Sequence, residues 1–133
     1  ELEYTIYFLD TNGPGTNITL ADVLPSDMTF ETTAYGAASG IALALDSTTL
    51  PTAPTAFLTN AADGDQGTYY APGTQAPAAA NPPGFASPLS AASNTSGVVA
   101  VTLAPSPATL PAATGAGAPT GSYGFIRFRT RVK

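Results

Sequence analysis

Apolar and polar positions alternate with a period of two at both ends of the chain. From Leu2 to Leu9, Tyr4, Ile6 and Phe8 share one face and Thr5, Tyr7 and Leu9 the other. That period belongs to a strand half-buried on one side. Thr16 to Val23 is a second short run, entered through the turn signal Asn12-Gly13-Pro14-Gly15, and Met28 to Thr32 a third, set off by Pro25-Ser26-Asp27. Ile41 to Leu45 reads Ile-Ala-Leu-Ala-Leu, one heavy face and one flat Ala face. Thr55 to Thr59 and Thr68 to Tyr70 carry weaker signals. Val98 to Leu103 places Val99, Val101 and Leu103 on one side, and Tyr123 to Val132 is the longest strand. No window repeats apolar residues at helical spacing over three turns.

Between these runs lie Ala71 to Gly97 and Ala104 to Gly121, rich in Pro, Ala, Ser and Gly; nine of the 13 prolines fall between Pro72 and Pro119. Phe85, Leu89 and Leu110 would anchor them as ordered surface loops. About seven short strands punctuated by Gly and Pro, with no helix, predict an all-β sandwich. Ile6, Phe8, Leu20, Phe30, Val99, Val101, Ile126 and Phe128 are its expected core.

A length of 133 residues fits one domain spanning 1–133. Charged residues are only 10%, yet six Tyr and six Phe argue for a folded chain rather than a disordered one. A net charge of −5 without a basic patch argues against nucleic acid. No apolar run is long enough to insert in a bilayer as a helix.

Candidate chemistry is sparse. With no His and no Cys, Ser-His-Asp, Cys-His and thiolate or imidazole zinc sites are excluded. Scattered carboxylates and the absence of a phosphate-binding Gly loop leave no catalytic residue to name, so the chain reads as a non-enzyme without an obligatory cofactor. "NAADGDQGTYY" groups Asn60, Asp63 and Asp65 around Gly64 and Gly67. The first reading is an Asp-Gly turn, and the second a Ca²⁺ site that lacks a later bidentate Glu.

Arg127, Arg129 and Arg131 share one face of the last strand, roughly 6.6 Å apart along it. They form either a solvated face that discourages edge pairing or an ion-pair ladder. Glu1 and Glu3 are the plausible partners, in this chain or in a neighbouring subunit. Asn17-Ile18-Thr19 and Asn94-Thr95-Ser96 match the N-glycosylation pattern, a weak signal.

"YTIYFLDTNGPGTNITLADVLPSDMTF" resembles the opening of the domain of unknown function 11 family, in the order of a Tyr-Thr-Ile strand, an Asn-Gly turn and "NITLADVLPSDMTF" in the place of the family's Asn-Val-x-x-x-Asp-x-Leu-Pro segment. "TLPAATGAGAPTGSYGFIRFRTRVK" is similar to that family's closing loop and strand, and "IALALDSTTLPTAPTAFLTNAADGDQGTYYAPG" to its cyanobacterial versions. The resemblance implies an extracellular, immunoglobulin-like β-sandwich at the cell surface of a bacterium or archaeon, and it carries no catalytic residues. Family members have a further strand before the Tyr-Thr-Ile strand, where this chain has only Glu1, Leu2 and Glu3.

Two functions follow as expectations. In the first, the protein is a structural subunit of a surface filament, a homopolymer joined head-to-tail by β-strand addition. Leu2, Tyr4, Ile6, Phe8, Arg127, Arg129 and Arg131 form its subunit interface, and Leu2 to Leu9 or the last strand is donated. In the second, it is a monomeric adhesion or spacer module of a larger surface protein, with cell-surface glycans as ligands.

Overall fold

The computed structural model describes residues 1–11, 14–45, 53–76, 90–104, 108–115 and 118–133. Within them the chain is all-β: β1 (Leu2–Leu9), β2 (Thr19–Val23), β3 (Met28–Phe30), β4 (Ile41–Ala44), β5 (Ala56–Leu58), β6 (Gly67–Tyr70), β7 (Val98–Thr102) and β8 (Tyr123–Val132). That is one strand more than the count of about seven. The alternating runs become strands where bulky apolar residues recur every second position. They shorten by one to three residues at several ends where Thr, Asn or Leu leads into a turn.

Two antiparallel sheets face each other. β1, β8, β4 and β5 form the first in that order, with β3 continuing the β4 side of β8; β2, β7 and β6 form the second. β8 is the spine of the first sheet. Leu2 to Leu9 pairs with Thr130 to Tyr123 along one side of it, and Ile41–Ala44 and Met28–Phe30 pair along the other.

The period of two sorts side chains between the faces. Phe30, Ile41, Leu43, Leu58, Ile126 and Phe128 from the first sheet meet Val99, Val101 and Leu103 from the second in one core, closed by Leu24 and Leu110. Tyr4 stacks on Phe128 at 5.1 Å, and Phe30 on Tyr69 at 4.2 Å. Ile6, Phe8 and Leu20 of the expected core pack against it but are only half-buried. They lie on β1 and β2, which among the described residues have a neighbouring strand on one side only. Of the expected loop anchors, Leu110 is buried, while Phe85 and Leu89 lie outside the described residues.

The Ala face of β4 points outward and is nevertheless buried, because Arg127 and Phe57 flank Ala42 in the register. The outer face of the second sheet is closed differently. Val98 and Ala100 pack with Ala76, and the 71–76 and 90–97 segments lie near them, joined by Asn94.

Candidate assembly surface

β1 and the outer face beside it are where the chain's charged and exposed aromatic residues come together. The Asp10 N–H donates to the Ser122 carbonyl, one step beyond the Leu9–Tyr123 pair. In an antiparallel ladder, hydrogen-bonded and non-hydrogen-bonded pairs alternate. Even-numbered residues of β1 therefore bond to β8. The Glu31 N–H bond to the Arg129 carbonyl gives the complementary phase, in which odd-numbered residues of β8 bond towards β3 and β4. The N–H and C=O groups of Glu3, Thr5, Tyr7 and Leu9 thus point away from the sheet along an edge that no other described strand covers.

On the outer face, contacts run unbroken across three strands. Tyr7 meets Phe125 edge-on at 5.6 Å, and the Arg127 guanidinium lies 4.5 Å over the same ring. Arg127 Nε donates to Thr5 Oγ1 at 3.0 Å and lies 3.4 Å from Glu3. Arg129 pairs with Glu3 at 2.8 Å and with Glu1 at 3.4 Å, and it covers the Tyr35 ring, which stacks on Phe57. Arg131 pairs with Glu31 at 2.5 Å. The arginines therefore form an ion-pair ladder with Glu1, Glu3 and Glu31 of the same chain. Glu31 escaped the sequence reading, because only the β3–β8 register brings it to Arg131. Burial pushes the Tyr35 phenol up, with the Glu3 carboxylate adding and Arg129 opposing. The hydrogen bond to Glu3 raises the pKa of Arg129. Tyr7, Leu9 and Phe57 stay about half exposed, at 50%, 49% and 57%.

The remaining expected sites fall elsewhere. Asp63 accepts from the Thr59 hydroxyl at 2.8 Å, and Asp65 from the Thr59 and Gly67 N–H groups at 2.7 Å each. Asn60 spans to Gly40 N–H and the Thr32 carbonyl. The three groups considered for Ca²⁺ are thus occupied in holding the turn and fastening it to the β3–β4 connection. No metal-holding cluster of His, Cys, Asp or Glu occurs among the described residues. The Thr59 bond also lowers the Asp63 carboxyl.

Asn94 corrects its reading as a glycan acceptor. It is 1% exposed, donates to the carbonyls of Tyr70, Ala71 and Thr74, and accepts from Gly97 N–H. A glycosylated nitrogen does not fit that cage. Asn17 is exposed and adopts a left-handed φ of 52°.

An open cleft of about 280 Å³ lies at one end of the sandwich between Leu45, Leu103, Leu110 and Pro111. None of its described lining residues is charged. No helix among the described residues is long and apolar enough to cross a membrane. No protein-family profile matches the chain, and no curated protein or solved structure is similar to it at a significant level.

Proposed function

We propose that the protein is a structural subunit of an extracellular filament in which β1 of one copy occupies the β8 groove of the next. The observation that carries this reading is the position of β1. It is an eight-residue strand whose only strand partner among the described residues is β8. Transferring it to another copy preserves every pair of its register and breaks no other ladder. β8, the other strand considered for donation, is flanked along both sides, so removing it would dismantle the first sheet. In the exchanged form the Glu3–Arg127 and Glu3–Arg129 pairs become contacts between subunits. Each adds register more than energy at an exposed site. Head-to-tail exchange whose rotation does not close a ring propagates as a filament. Membership of the domain of unknown function 11 family and a place at the cell surface belong to the same proposal.

A monomeric adhesion module is the second reading. The exposed Phe57, stacked on Tyr35, favours it as a flat platform for a glycan ring.

The chain has no Cys, so a single engineered disulfide tests the exchange cleanly. Glu3 and Arg129 face each other in a non-hydrogen-bonded pair, where β-carbons come close. Glu3→Cys/Arg129→Cys, oxidised in dilute solution, locks β1 on its own β8. The unmodified chain should form regular fibres by negative-stain microscopy. The locked chain should stay folded and form no fibres until reduced. Fibres from the locked chain would sink the exchange, and a native chain that never polymerises would favour the adhesion module.

A further inference from the structure

The five described strands with a partner on one side only differ in what they offer to another chain, and β3, three residues long, offers little. β6 is closed: the Asp65 carboxylate takes the Gly67 N–H, and the Asn60 carbonyl takes the Tyr69 N–H. β5 is three residues long, and its ladder to β4 leaves only Phe57 facing outward. β2 is open for Thr19, Ala21 and Val23, but Asp22 falls on the parity of Leu20 and Leu24, which faces the core. Its carboxylate has no hydrogen-bond or ion-pair partner among the described residues, and burial raises its pKa. An added strand would desolvate that charge further, which protects the edge. β1 has neither device. Its inner face is Tyr4, Ile6 and Phe8, its Glu3 is neutralised by Arg127 and Arg129, and four consecutive outward positions have no strand partner among the described residues.

We infer that the open edge of β1 pairs antiparallel with β1 of a second copy about a two-fold axis through Ile6, joining two five-stranded sheets into one. Only odd-numbered residues offer outward N–H and C=O groups, so odd must face odd. Residue numbers of facing partners then sum to an even number. A sum of 12 is the register that uses all four open positions. Glu3 meets the partner's Leu9 and Thr5 meets the partner's Tyr7, giving about eight hydrogen bonds across the seam. The inner face agrees: Ile6 meets the partner's Ile6 and Tyr4 the partner's Phe8, apolar on apolar. Those side chains are half-buried in a single copy and would be covered in the pair. The two Glu3 residues lie roughly 20 Å apart in this register, beyond a Debye length at physiological salt. A sum of 10 instead centres Thr5 on the partner's Thr5 and sets Leu9 against Glu1, outside the strand, so that only three of the four open positions meet one another. The inference goes beyond the filament reading and does not depend on it. The outer edge of β1 is the same whether the strand lies on its own β8 or on a neighbour's.

Single-Cys variants of the full chain read the register directly. Under mild oxidation, Ile6→Cys should form a disulfide-linked dimer, and Thr5→Cys should remain largely uncrosslinked. An equimolar mixture of Thr5→Cys and Tyr7→Cys should give the mixed dimer in at least several-fold excess over either homodimer. Both of those side chains are on the outer face, so the mixture carries the test if Ile6→Cys fails to fold. Tyr7→Pro removes one outward N–H while leaving the β1–β8 ladder its bonds. It should abolish the doubling of mass in sedimentation without changing the β signal in circular dichroism. Crosslinking of Thr5→Cys as readily as Ile6→Cys would overturn the register. Absence of crosslinks in every arm, or unchanged association of Tyr7→Pro, would overturn the pairing. The locked Glu3→Cys/Arg129→Cys chain separates the two proposals: it loses fibres if β1 is exchanged, yet still dimerises through the open edge.

Discussion

The two sheets share one core but finish their outer faces by opposite means. The first covers its outside with its own large side chains: Tyr7 and Arg127 over Phe125, Arg129 over Tyr35, Tyr35 against Phe57. The second is built from small residues, Ala21, Val23, Val98 and Ala100, and is closed by loop segments fastened through the buried amide of Asn94. A face made of side chains remains accessible and can be read by another molecule. A face closed by backbone cannot. The contrast places the chain's adaptable surface on the β1–β8 side and its fixed surface on the β2–β7–β6 side.

The contrast is sharpest within the first face itself. Phe125 is fully buried although it points away from the core, whereas Phe57 two strands over is 57% exposed. Phe125→Ala should cost about 3–5 kcal/mol in urea unfolding, as a core phenylalanine does. Phe57→Ala should change stability by no more than about 0.5 kcal/mol. Equal costs would mean that the outer face is not layered in this way.

The next effect tests the second sheet. Asn94→Ala takes the amide donor from the carbonyls of Tyr70, Ala71 and Thr74 and the acceptor from the Gly97 N–H in a site with 1% exposure, while the Ala71 carbonyl keeps its bonds from Thr74. We expect a loss of about 2–4 kcal/mol. Amide exchange should accelerate in the 71–76 and 90–97 segments while β8 stays protected. A uniform acceleration would deny the loops a separate role.

The smallest effect concerns the guarded edge. Burial raises the Asp22 carboxyl, so the folded state prefers it protonated. The penalty is present above the folded pKa, fades as pH falls through it, and is gone below the ordinary carboxylate range. Asp22→Asn should therefore stabilise the protein at neutral pH by less than about 1 kcal/mol, after screening by solvent. The advantage should vanish in acid. It should also add a second associating edge at β2, visible as higher-order species.

Much of this architecture was legible in the sequence, and the reasons are local. Alternation of bulky residues marks β1, β7 and β8, and parity alone places the three arginines on one face opposite Ile6, Phe8, Ile126 and Phe128. Strand order is not local. Nothing near Ile6, Phe8 or Leu20 says that their strands lie at sheet edges, so full burial was expected where half-burial is found. Nor does the triplet Asn94-Thr95-Ser96 disclose that its Asn reaches carbonyls 20 to 24 residues away. The aspartates of the 60–70 segment had two readings of similar composition, and hydrogen bonds to Thr59 and Gly67 favour the turn.

The antiparallel run of β1 along β8 also determines how the molecule would bear force. Leu2 lies beside Thr130 and Leu9 beside Tyr123, so tension applied at Glu1 and Lys133 acts on one end of the ladder. Pairs then open one after another, as in a zipper. The last pair to part is Leu9–Tyr123, beside the Asp10–Ser122 bond, so the strand's hold is lost progressively from its Leu2 end.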